Sequence, residues 1–281
     1  MIGLFDSGVG GLSVAREIRR QLPGWPLIYL ADQSHAPYGS RPLAEIRAFA
    51  GAITRFLLAQ GAQIIVIACN TASAAALHWL RRGFPDVSFV GMEPALKPAA
   101  QRTRTRHVGV IATAATFQGE LFASLVERFA GDVVVHTQVC PQLVPLVEAG
   151  ELDSPATRAA VAGYLAPLLA AGIDELVLGC THYPFLRPVI EAVVGPTVEV
   201  IDPAAAVARQ TGRLLAQCGR SSDHGPVPPD AVSETVLLRD CFYTTGDPAR
   251  FQALLYRLLG WQAEVRGAVW SAGGELVIVP R

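Results

Sequence analysis

The feature that most constrains this 281-residue chain is a regular alternation of short apolar runs with longer Ala-, Leu- and Arg-rich segments. The runs are rich in β-branched residues and apolar on both faces, as in parallel strands that helices cover on each side. The alternation predicts an α/β fold with parallel sheets. Strands are predicted at 2–5, 27–30, 64–68, 89–91, 108–112, 133–139, 176–179 and 198–201, and helices at 43–60, 157–171 and 204–217.

Two places along the chain indicate a domain boundary. Residues 94–106 contain two prolines and the charged run RTRTR, and the pattern changes again near 201–203. We predict a first domain at 1–95 plus 207–281, with a second domain inserted into it at 96–206. The Gly-, Pro- and Ser-rich stretch 221–230 is predicted to be a surface loop, with no role assigned.

The composition excludes several classes of function. Lys+Arg 23 against Asp+Glu 24 gives a net charge of −1, without the basic excess that nucleic-acid binding requires. No apolar run reaches the length of about 18–20 residues that a membrane helix needs. The N-terminus, MIGLFDSGVGG, lacks the basic region of a signal peptide. We therefore expect a cytoplasmic protein that binds neither nucleic acid nor membrane, and five scattered cysteines without C-x-x-C predict reduced thiols.

Two of the cysteines share a sequence context. IIVIACNTAS at 64–73 and LVLGCTHYP at 176–184 each place a cysteine after an apolar run and before a polar tail, so Cys69 and Cys180 are predicted at strand ends. The tails are predicted to open helices, whose N-terminal N–H groups lower a cysteine's pKa and bind carboxylates. Either cysteine alone is also well explained as a buried core residue; the matching contexts favour a joint role. Cys140, Cys218 and Cys241 lack such a context.

Other polar residues follow predicted strands. Asp6 lies in a Gly-rich turn that matches neither phosphate-binding pattern, and its carboxylate suits a thiol or a substrate ammonium group. Asp is also a common helix N-cap, which is the simpler alternative. Tyr38 and Gly39 follow Pro37 in a turn that would expose a backbone N–H to a carboxylate.

His182, two residues after Cys180, is predicted to orient that cysteine and to help move its proton. A zinc site formed by Cys69, Cys180 and His182 is the competing interpretation. The Cys-x-His spacing does not match the usual structural zinc sites, and no second Cys/His cluster supports it. We therefore expect no metal.

These segments together resemble the glutamate racemase family, within the wider aspartate/glutamate racemase superfamily. The specific combination is FDSGVGGLSV at 5–14, PYG at 37–39, ACNTAS at 68–73 and GCTHYP at 179–184. Further likeness lies in GMEPALKPA at 91–99, ATAATF at 112–117, PLVEAGE at 145–151 and FYTTGDP at 242–248. The resemblance spans nearly the whole chain. It implies two flavodoxin-like α/β domains that face each other, with the substrate in the cleft between them.

The resemblance also implies an activity and residue roles. It implies a homodimeric, cofactor-independent racemase that interconverts L- and D-glutamate and supplies D-glutamate for peptidoglycan. Cys69 and Cys180 match the catalytic pair, Cys69 deprotonating D-glutamate and Cys180 deprotonating L-glutamate. Asp6 matches the group that assists Cys69, while His182 and Glu148 match those that assist Cys180. The substrate-binding positions it implies are Asp6, Ser7, Tyr38, Gly39, Asn70, Thr71, Thr113, Thr116, Thr181 and His182.

Chemical reasoning independently favours two opposed cysteines. Inverting a stereocentre through a planar carbanion requires a proton to leave one face and another to arrive on the opposite face, which two thiols from facing domains can accomplish. Three alternatives stay open. One is a sister activity on the same scaffold: racemisation of aspartate or hydantoins, or arylmalonate-type decarboxylation. The others are a non-catalytic amino-acid-binding protein, which would tolerate loss of either cysteine, and a thiol redox protein, in which the two would form a disulfide.

Overall fold

The strands of this chain form two separate sheets. The computed structural model describes residues 1–118, 120–219 and 239–280, so the predicted loop at 221–230 lies outside the described residues. The strands are β1 (Ile2–Asp6), β2 (Leu27–Ala31), β3 (Ile64–Ile67), β4 (Ser88–Gly91), β5 (His107–Ala112), β6 (Val134–Val139), β7 (Glu175–Gly179), β8 (Glu199–Ile201), β9 (Cys241–Thr244), β10 (Val265–Trp270) and β11 (Leu276–Ile278).

The first sheet has the order β11-β10-β9-β2-β1-β3-β4, and the second has the order β6-β5-β7-β8. Every neighbouring pair is parallel except β10 and β11, which are antiparallel. The predicted α/β class with parallel sheets is confirmed, and all eight predicted strands form. The sequence pattern missed β9, β10 and β11, which extend the first sheet beyond β2.

Helices cover both faces of each sheet. They are α1 (Leu12–Gln21), α2 (Leu43–Ala59), α3 (Asn70–Gly83), α4 (Leu96–Arg102), α5 (Ala114–Gln118), α6 (Glu120–Phe129), α7 (Leu143–Glu148), α8 (Pro155–Ala170), α9 (Arg187–Val194), α10 (Ala204–Gln217) and α11 (Pro248–Leu259). Successive strand residues point to opposite faces. In β1, Leu4 therefore packs in the apolar cluster with α1, α10 and α11, while Phe5 packs in the cluster with α2 and α3.

One apolar cluster joins the two sheets. It contains Leu4 of the first sheet, Leu176 of the second, and Leu143 and Val147 of α7. We call the elements around the first sheet the first unit and those around the second sheet the second unit. The helix α10 packs on α1 and so belongs to the first unit. The predicted boundary at 206/207 therefore falls inside a helix, and the exact domain limits stay a prediction.

The segment 94–106, interpreted from sequence as a boundary stretch, contains the helix α4. Pro98 is its third residue, within the first turn, where backbone N–H groups have no partner inside the helix and a missing one costs little. None of the helices in the described ranges is long and apolar enough to cross a membrane.

A buried ion pair fixes the return of the chain to the first sheet. Asp240, just before β9, accepts hydrogen bonds from Arg19 Nη2 (2.9 Å) and from the backbone N–H of Leu27 (2.9 Å). The two charged side chains are at most 1% exposed. Removing one partner of such a pair costs roughly 3–5 kcal/mol, because the other charge is left buried and unpaired. The contact places β9 beside β2.

Candidate active site

The carboxyl ends of both sheets border one small cavity of ≈ 20 Å³. Ten of the positions predicted from sequence line it, together with Pro37 and Val144. Three other predicted positions, Asp6, Glu148 and Thr116, stand one contact further away. The lining residues are Ser7, Pro37, Tyr38, Gly39, Cys69, Asn70, Thr71, Thr113, Val144, Cys180, Thr181 and His182.

Cys69 lies at the start of α3, two residues after β3. Its Sγ accepts a hydrogen bond from the backbone N–H of Ala72 (3.4 Å) and donates to Ser7 Oγ (3.9 Å). Burial, and then the negative charge of Asp6, raise the pKa of Cys69 to about 12. The expectation that the helix start lowers this pKa is therefore wrong. The Ala72 N–H does act in that direction, but burial and Asp6 outweigh it.

Asp6 ends β1 and is fully buried. One carboxylate oxygen accepts the Gly8 N–H (2.9 Å) and the other accepts the Thr181 hydroxyl (2.9 Å), so Asp6 connects the two units. Burial raises its pKa, and the positive charge of His182 opposes that shift. The N-cap alternative is excluded, because α1 begins only at Leu12.

Cys180 follows β7 directly. It is linked to His182, and His182 to Glu148, by two short contacts, and we call these three residues the relay. The Cys180 Sγ lies 3.7 Å from His182 Nδ1, and His182 Nε2 lies 2.7 Å from Glu148 Oε1. Burial lowers the pKa of His182, but the contacts with Cys180 and Glu148 outweigh it and raise that pKa well above 6.5. Burial raises the pKa of Glu148, but its hydrogen bonds, the one with His182 foremost, hold it below 4.5. These contacts favour the protonated form of the imidazole between Glu148 and Cys180.

The predicted helix start at Thr181 is wrong. A short 3-10 helix occupies Tyr183–Leu186, and α9 begins only at Arg187. An α-helix that began at Thr181 would contain Pro188 in its interior, where proline lacks the backbone N–H that the helix hydrogen bond requires. The setting of Cys180 thus differs from that of Cys69, which caps a full α-helix.

The Gly-rich turn after β1 allows the second unit to come close. A Cβ atom on Gly8 would lie 1.9 Å from Glu148 Oε1, and one on Gly10 would lie 2.3 Å from His182 Nδ1. Real Cβ atoms cannot approach so closely, so a side chain at either position would displace the relay. The glycines serve close approach here, whereas the sequence alone showed only a turn without a phosphate-binding pattern.

An amide and several hydroxyl groups lie at or beside the cavity. Asn70 is 3% exposed, and neither of its side-chain amide atoms has a hydrogen-bond partner among the described residues. Buried polar atoms are rarely left unpaired, so this amide is suited to a ligand. The hydroxyl of Thr71 lies 3.0 Å from that of Thr113, which in turn lies 3.0 Å from that of Thr116.

The hydroxyl of Tyr38 is committed within the protein. It donates to Asp32 Oδ2 (2.6 Å), while Asp32 Oδ1 accepts the indole N–H of Trp270 in β10 (2.8 Å). The turn that carries Tyr38 and Gly39 is thereby fixed to a strand that sequence reasoning missed. No local sequence pattern links Asp32 to Trp270, so only the structure reveals this contact.

Two residues near the relay had no role assigned from sequence. Gln33 donates to Glu148 Oε2 (2.9 Å), and Val144 lines the cavity. No local pattern identifies Gln33, because its partner lies 115 positions away in the chain. Among the residues that the structure describes, no three His, Cys, Asp or Glu side chains are arranged to hold a metal ion.

Comparison with known proteins identifies the class that this fold and cavity define. The sequence pattern of the Asp/Glu/Hydantoin racemase family matches residues 2–211, and the chain belongs to that family. It is 51% identical to the glutamate racemase of Ectopseudomonas mendocina, over 94% of this chain and 96% of that one.

Solved structures agree with this assignment. A glutamate racemase isoform from Bacillus anthracis aligns with a TM-score of 0.83 at 34% identity, covering 94% of this chain and 96% of that one. Escherichia coli glutamate racemase, solved with L-glutamate and the activator UDP-MurNAc-Ala, aligns with a TM-score of 0.80 at 31% identity over 99% of both chains. The resemblance to glutamate racemases is confirmed.

Proposed function

We propose that this chain is a cofactor-independent glutamate racemase that uses Cys69 and Cys180 as its two acid–base groups. The observation that carries the proposal is that cysteines from two different sheets border one cavity. Each has a distinct proton-handling neighbourhood, Asp6 and Ser7 for the first and His182 for the second. The similarity to proteins named glutamate racemase supports glutamate as the substrate.

The reaction from L-glutamate begins at Cys180. Its thiolate removes the α-proton, and the thiol of Cys69 delivers a proton to the opposite face of the planar carbanion. With a pKa of about 12, Cys69 holds the proton that this step needs. A protonated His182 beside Cys180 stabilises negative charge on sulfur, as cations near a thiolate do. After one turnover the two sulfurs have exchanged protonation states, and D-glutamate is converted by the reverse sequence.

Groups around the cavity complement the substrate. The unpaired amide of Asn70 and the hydroxyl of Thr71 suit a carboxylate, and the charge of Asp6 suits the ammonium group. An ammonium group near Asp6 also offsets the charge that raises the pKa of Cys69, so substrate binding favours the thiolate there. The cavity of ≈ 20 Å³ is far smaller than ligand pockets, which span roughly 300–1,000 Å³, so the site must open before glutamate can bind.

We further propose that the protein is a cytoplasmic homodimer whose product is used in peptidoglycan synthesis, as the family resemblance implies. The most direct test of the activity is incubation of the purified protein with L-glutamate in D₂O without added cofactor. We expect D-glutamate to form, measured by circular dichroism, and to carry deuterium at Cα, measured by NMR. Early in the reaction the remaining L-glutamate stays protonated, because each face has its own acid–base group.

Three results would overturn the proposal. Absence of both deuterium uptake and racemisation with either glutamate enantiomer, in protein shown to be folded, would favour a binding role. Faster racemisation of aspartate than of glutamate would move the chain to a sister activity. Single Cys69→Ser and Cys180→Ser variants that keep full function would likewise contradict a two-cysteine reaction.

A further inference from the structure

The carboxylate of Glu148 is held from both units at once. Its Oε1 accepts the backbone N–H of Val9 (2.7 Å) and lies 2.7 Å from His182 Nε2. Its Oε2 accepts the side-chain amide of Gln33 (2.9 Å). Val9 and Gln33 belong to the first unit, whereas Glu148 and His182 belong to the second. The side chain that supports the Cys180 relay is thus fixed by the opposite unit.

Gln33 is itself oriented by Thr244, the last residue of β9. The Thr244 hydroxyl accepts the backbone N–H of Gly246 (3.0 Å) and donates its own hydrogen to Gln33 Oε1 (2.8 Å). With its oxygen occupied, the amide turns its N–H groups to Glu148. Gly246 makes room for this arrangement, because a Cβ there would lie 3.0 Å from Gln33 Cβ. A series of hydrogen bonds, each donated toward Glu148, therefore connects the end of β9 through Gln33 to Glu148.

This series of hydrogen bonds affects the proton on His182. Burial raises the pKa of Glu148, but hydrogen bonds from His182, Val9 and Gln33 hold it below its ordinary value. An ionised Glu148 facing His182 helps to hold the pKa of that imidazole above 6.5, against the effect of burial. The Cys180 sulfur also raises the pKa of His182, and Asp6, on β1, interacts with the charge of His182.

We propose that Gln33 is a positioning residue for the Cys180 half of the reaction, turning Glu148 so that its Oε1 receives the Nε2–H of His182. This inference rests on the racemase activity proposed above. Because the contact spans both units, the relay is complete only while the units are in contact. An amide is required at this position, since a carboxylate would repel Glu148.

A one-sided assay is needed, because kcat/KM is equal in the two directions when two enantiomers interconvert with an equilibrium constant of one. Elimination from each enantiomer of 3-chloroglutamate meets that need. The thiolate takes the α-proton, the Cα–H electron pair forms a Cα=Cβ double bond, and chloride leaves with the C–Cl pair. Water then hydrolyses the enamine to 2-oxoglutarate and ammonium. Only the cysteine on the side of the α-proton takes part.

The central variant is Gln33→Leu, which keeps much of the side-chain volume and removes the hydrogen bonds. We expect kcat for elimination from the Cys180-dependent enantiomer to fall roughly tenfold, as for other residues that orient an active-site ligand. KM, and elimination from the other enantiomer, should stay within about twofold. Arg250→Ala is the matched control, because the Arg250 guanidinium donates to the backbone carbonyl of Glu148 (3.3 Å) rather than to its carboxylate. It should leave both eliminations within about twofold.

A second variant, Gln33→Glu, gives the proposal a pH signature. At pH 8 the new carboxylate repels Glu148, and the Cys180-dependent elimination should fall more than in Gln33→Leu. At lower pH the introduced carboxyl is protonated and donates to Glu148, so activity relative to the wild type should recover as the pH falls. A purely structural role of Gln33 predicts no such recovery.

Titration of the His182 ring by NMR in the substrate-free protein separates this proposal from the racemase proposal. We expect the His182 pKa to be lower in Gln33→Leu than in the wild type, whether or not glutamate is the substrate. An unchanged His182 pKa would overturn the inference. Equal losses in both eliminations, or a loss in neither, would do so as well.

Discussion

The surroundings of Cys69 and Cys180 differ in charge although their sequence contexts match. Cys69 caps an α-helix beside Ser7 and feels the negative charge of Asp6, and burial with that charge raises its pKa to about 12. Cys180 has no α-helix directly after it and stands 3.7 Å from an imidazole whose pKa is raised well above 6.5. One sulfur is surrounded by groups that retain its proton, and the other stands beside a cation.

The difference shows how two similar strand ends can serve opposite faces of one substrate. A two-base inversion starts with one group protonated and the other ionised, so identical surroundings would leave both sulfurs in the same state. The asymmetry comes from residues outside the repeated motif, Asp6 for one half and Glu148 with His182 for the other. We call Cys69 with Asp6 the Cys69 half of the site, and Cys180 with His182 and Glu148 the Cys180 half.

Removal of either sulfur is expected to have the largest effect. In Cys69→Ser and Cys180→Ser a hydroxyl, a much weaker acid, replaces the thiol, so racemisation of glutamate should fall by about 10³-fold or more. Circular dichroism starting from each enantiomer measures the loss. Cys140→Ser changes a buried thiol outside the cavity lining and should keep activity within about twofold. A serine variant that keeps a tenth of the activity would remove the basis of the comparison.

Glu148→Gln should weaken the Cys180 half by about 10²-fold, because His182 loses the carboxylate that helps to hold its proton. The pKa of His182 falls in the variant, so the alkaline limb of the pH–activity profile should move to lower pH. Asp6→Asn, which acts on the other half, should not lower the pKa of His182 to the same extent. If the pH–activity profile of Glu148→Gln were the same as that of the wild type, Glu148 would not help to hold the proton of His182.

The contact between Glu148 and His182 also makes the free energy of unfolding depend on pH. The raised pKa of His182 stabilises the folded protein fully below 6.5, and this contribution is lost as pH rises through the raised value. The lowered pKa of Glu148 contributes above 4.5 and is lost as pH falls through the lowered value. Glu148→Gln should therefore cost most between pH 4.5 and 6.5, by about 2 kcal/mol in the free energy of unfolding, as for a hydrogen bond between charged groups. Urea denaturation across this range measures the cost.

Substitutions at the adjacent glycines Gly10 and Gly11 should each impair a different half of the site. A Cβ on Gly10 would lie 2.3 Å from His182 Nδ1, whereas one on Gly11 would lie 2.7 Å from Asp6 Cβ. Gly10→Ala should thus impair mainly the Cys180 half and Gly11→Ala mainly the Cys69 half, each by roughly 10- to 100-fold. Elimination from the two 3-chloroglutamate enantiomers separates the effects. Gly163→Ala, in α8 with open space around it, is the matched control; losses of equal size in both halves would contradict the assignment.

Substitution of the hydroxyl-bearing residues Thr113 and Thr116 is expected to have the smallest effect on activity. Thr113 lines the cavity and lies 3.0 Å from Thr71 Oγ1, whereas Thr116 contacts Thr113 and is not part of the lining. Thr113→Val should raise KM for glutamate roughly tenfold, as loss of a hydrogen bond to a charged ligand does. Thr116→Val should raise it less than about threefold. The reverse order would mean that Thr116 contacts the substrate directly.

The strands β1 and β7 could be predicted from the sequence, whereas β10 could not. In β1 and β7 every residue is buried, so the apolar run itself marks the strand. In β10 the burial pattern repeats every three residues instead of every two, and the strand is held by pairing with β9 and β11. The pairing with β9 joins segments that the helix α11 separates, and it leaves no local signal.

The candidate site, too, could be predicted from the sequence only in part. The lining residues are recognisable because they lie in short motifs at strand ends. The pKa of Cys69 was mispredicted because the helix start is visible in the sequence, whereas burial and the nearness of Asp6 are not. The role of Gln33 depends on a contact with Glu148, in the opposite unit, and only the folded chain reveals it.

The most direct test of the two-sided account is elimination from each enantiomer of 3-chloroglutamate by Cys69→Ser and by Cys180→Ser. Each variant should process one enantiomer within about tenfold of the wild-type rate and fail with the other. We expect Cys180→Ser to lose the L-enantiomer and Cys69→Ser the D-enantiomer. If either variant loses both enantiomers or retains both, the two cysteines do not serve opposite faces.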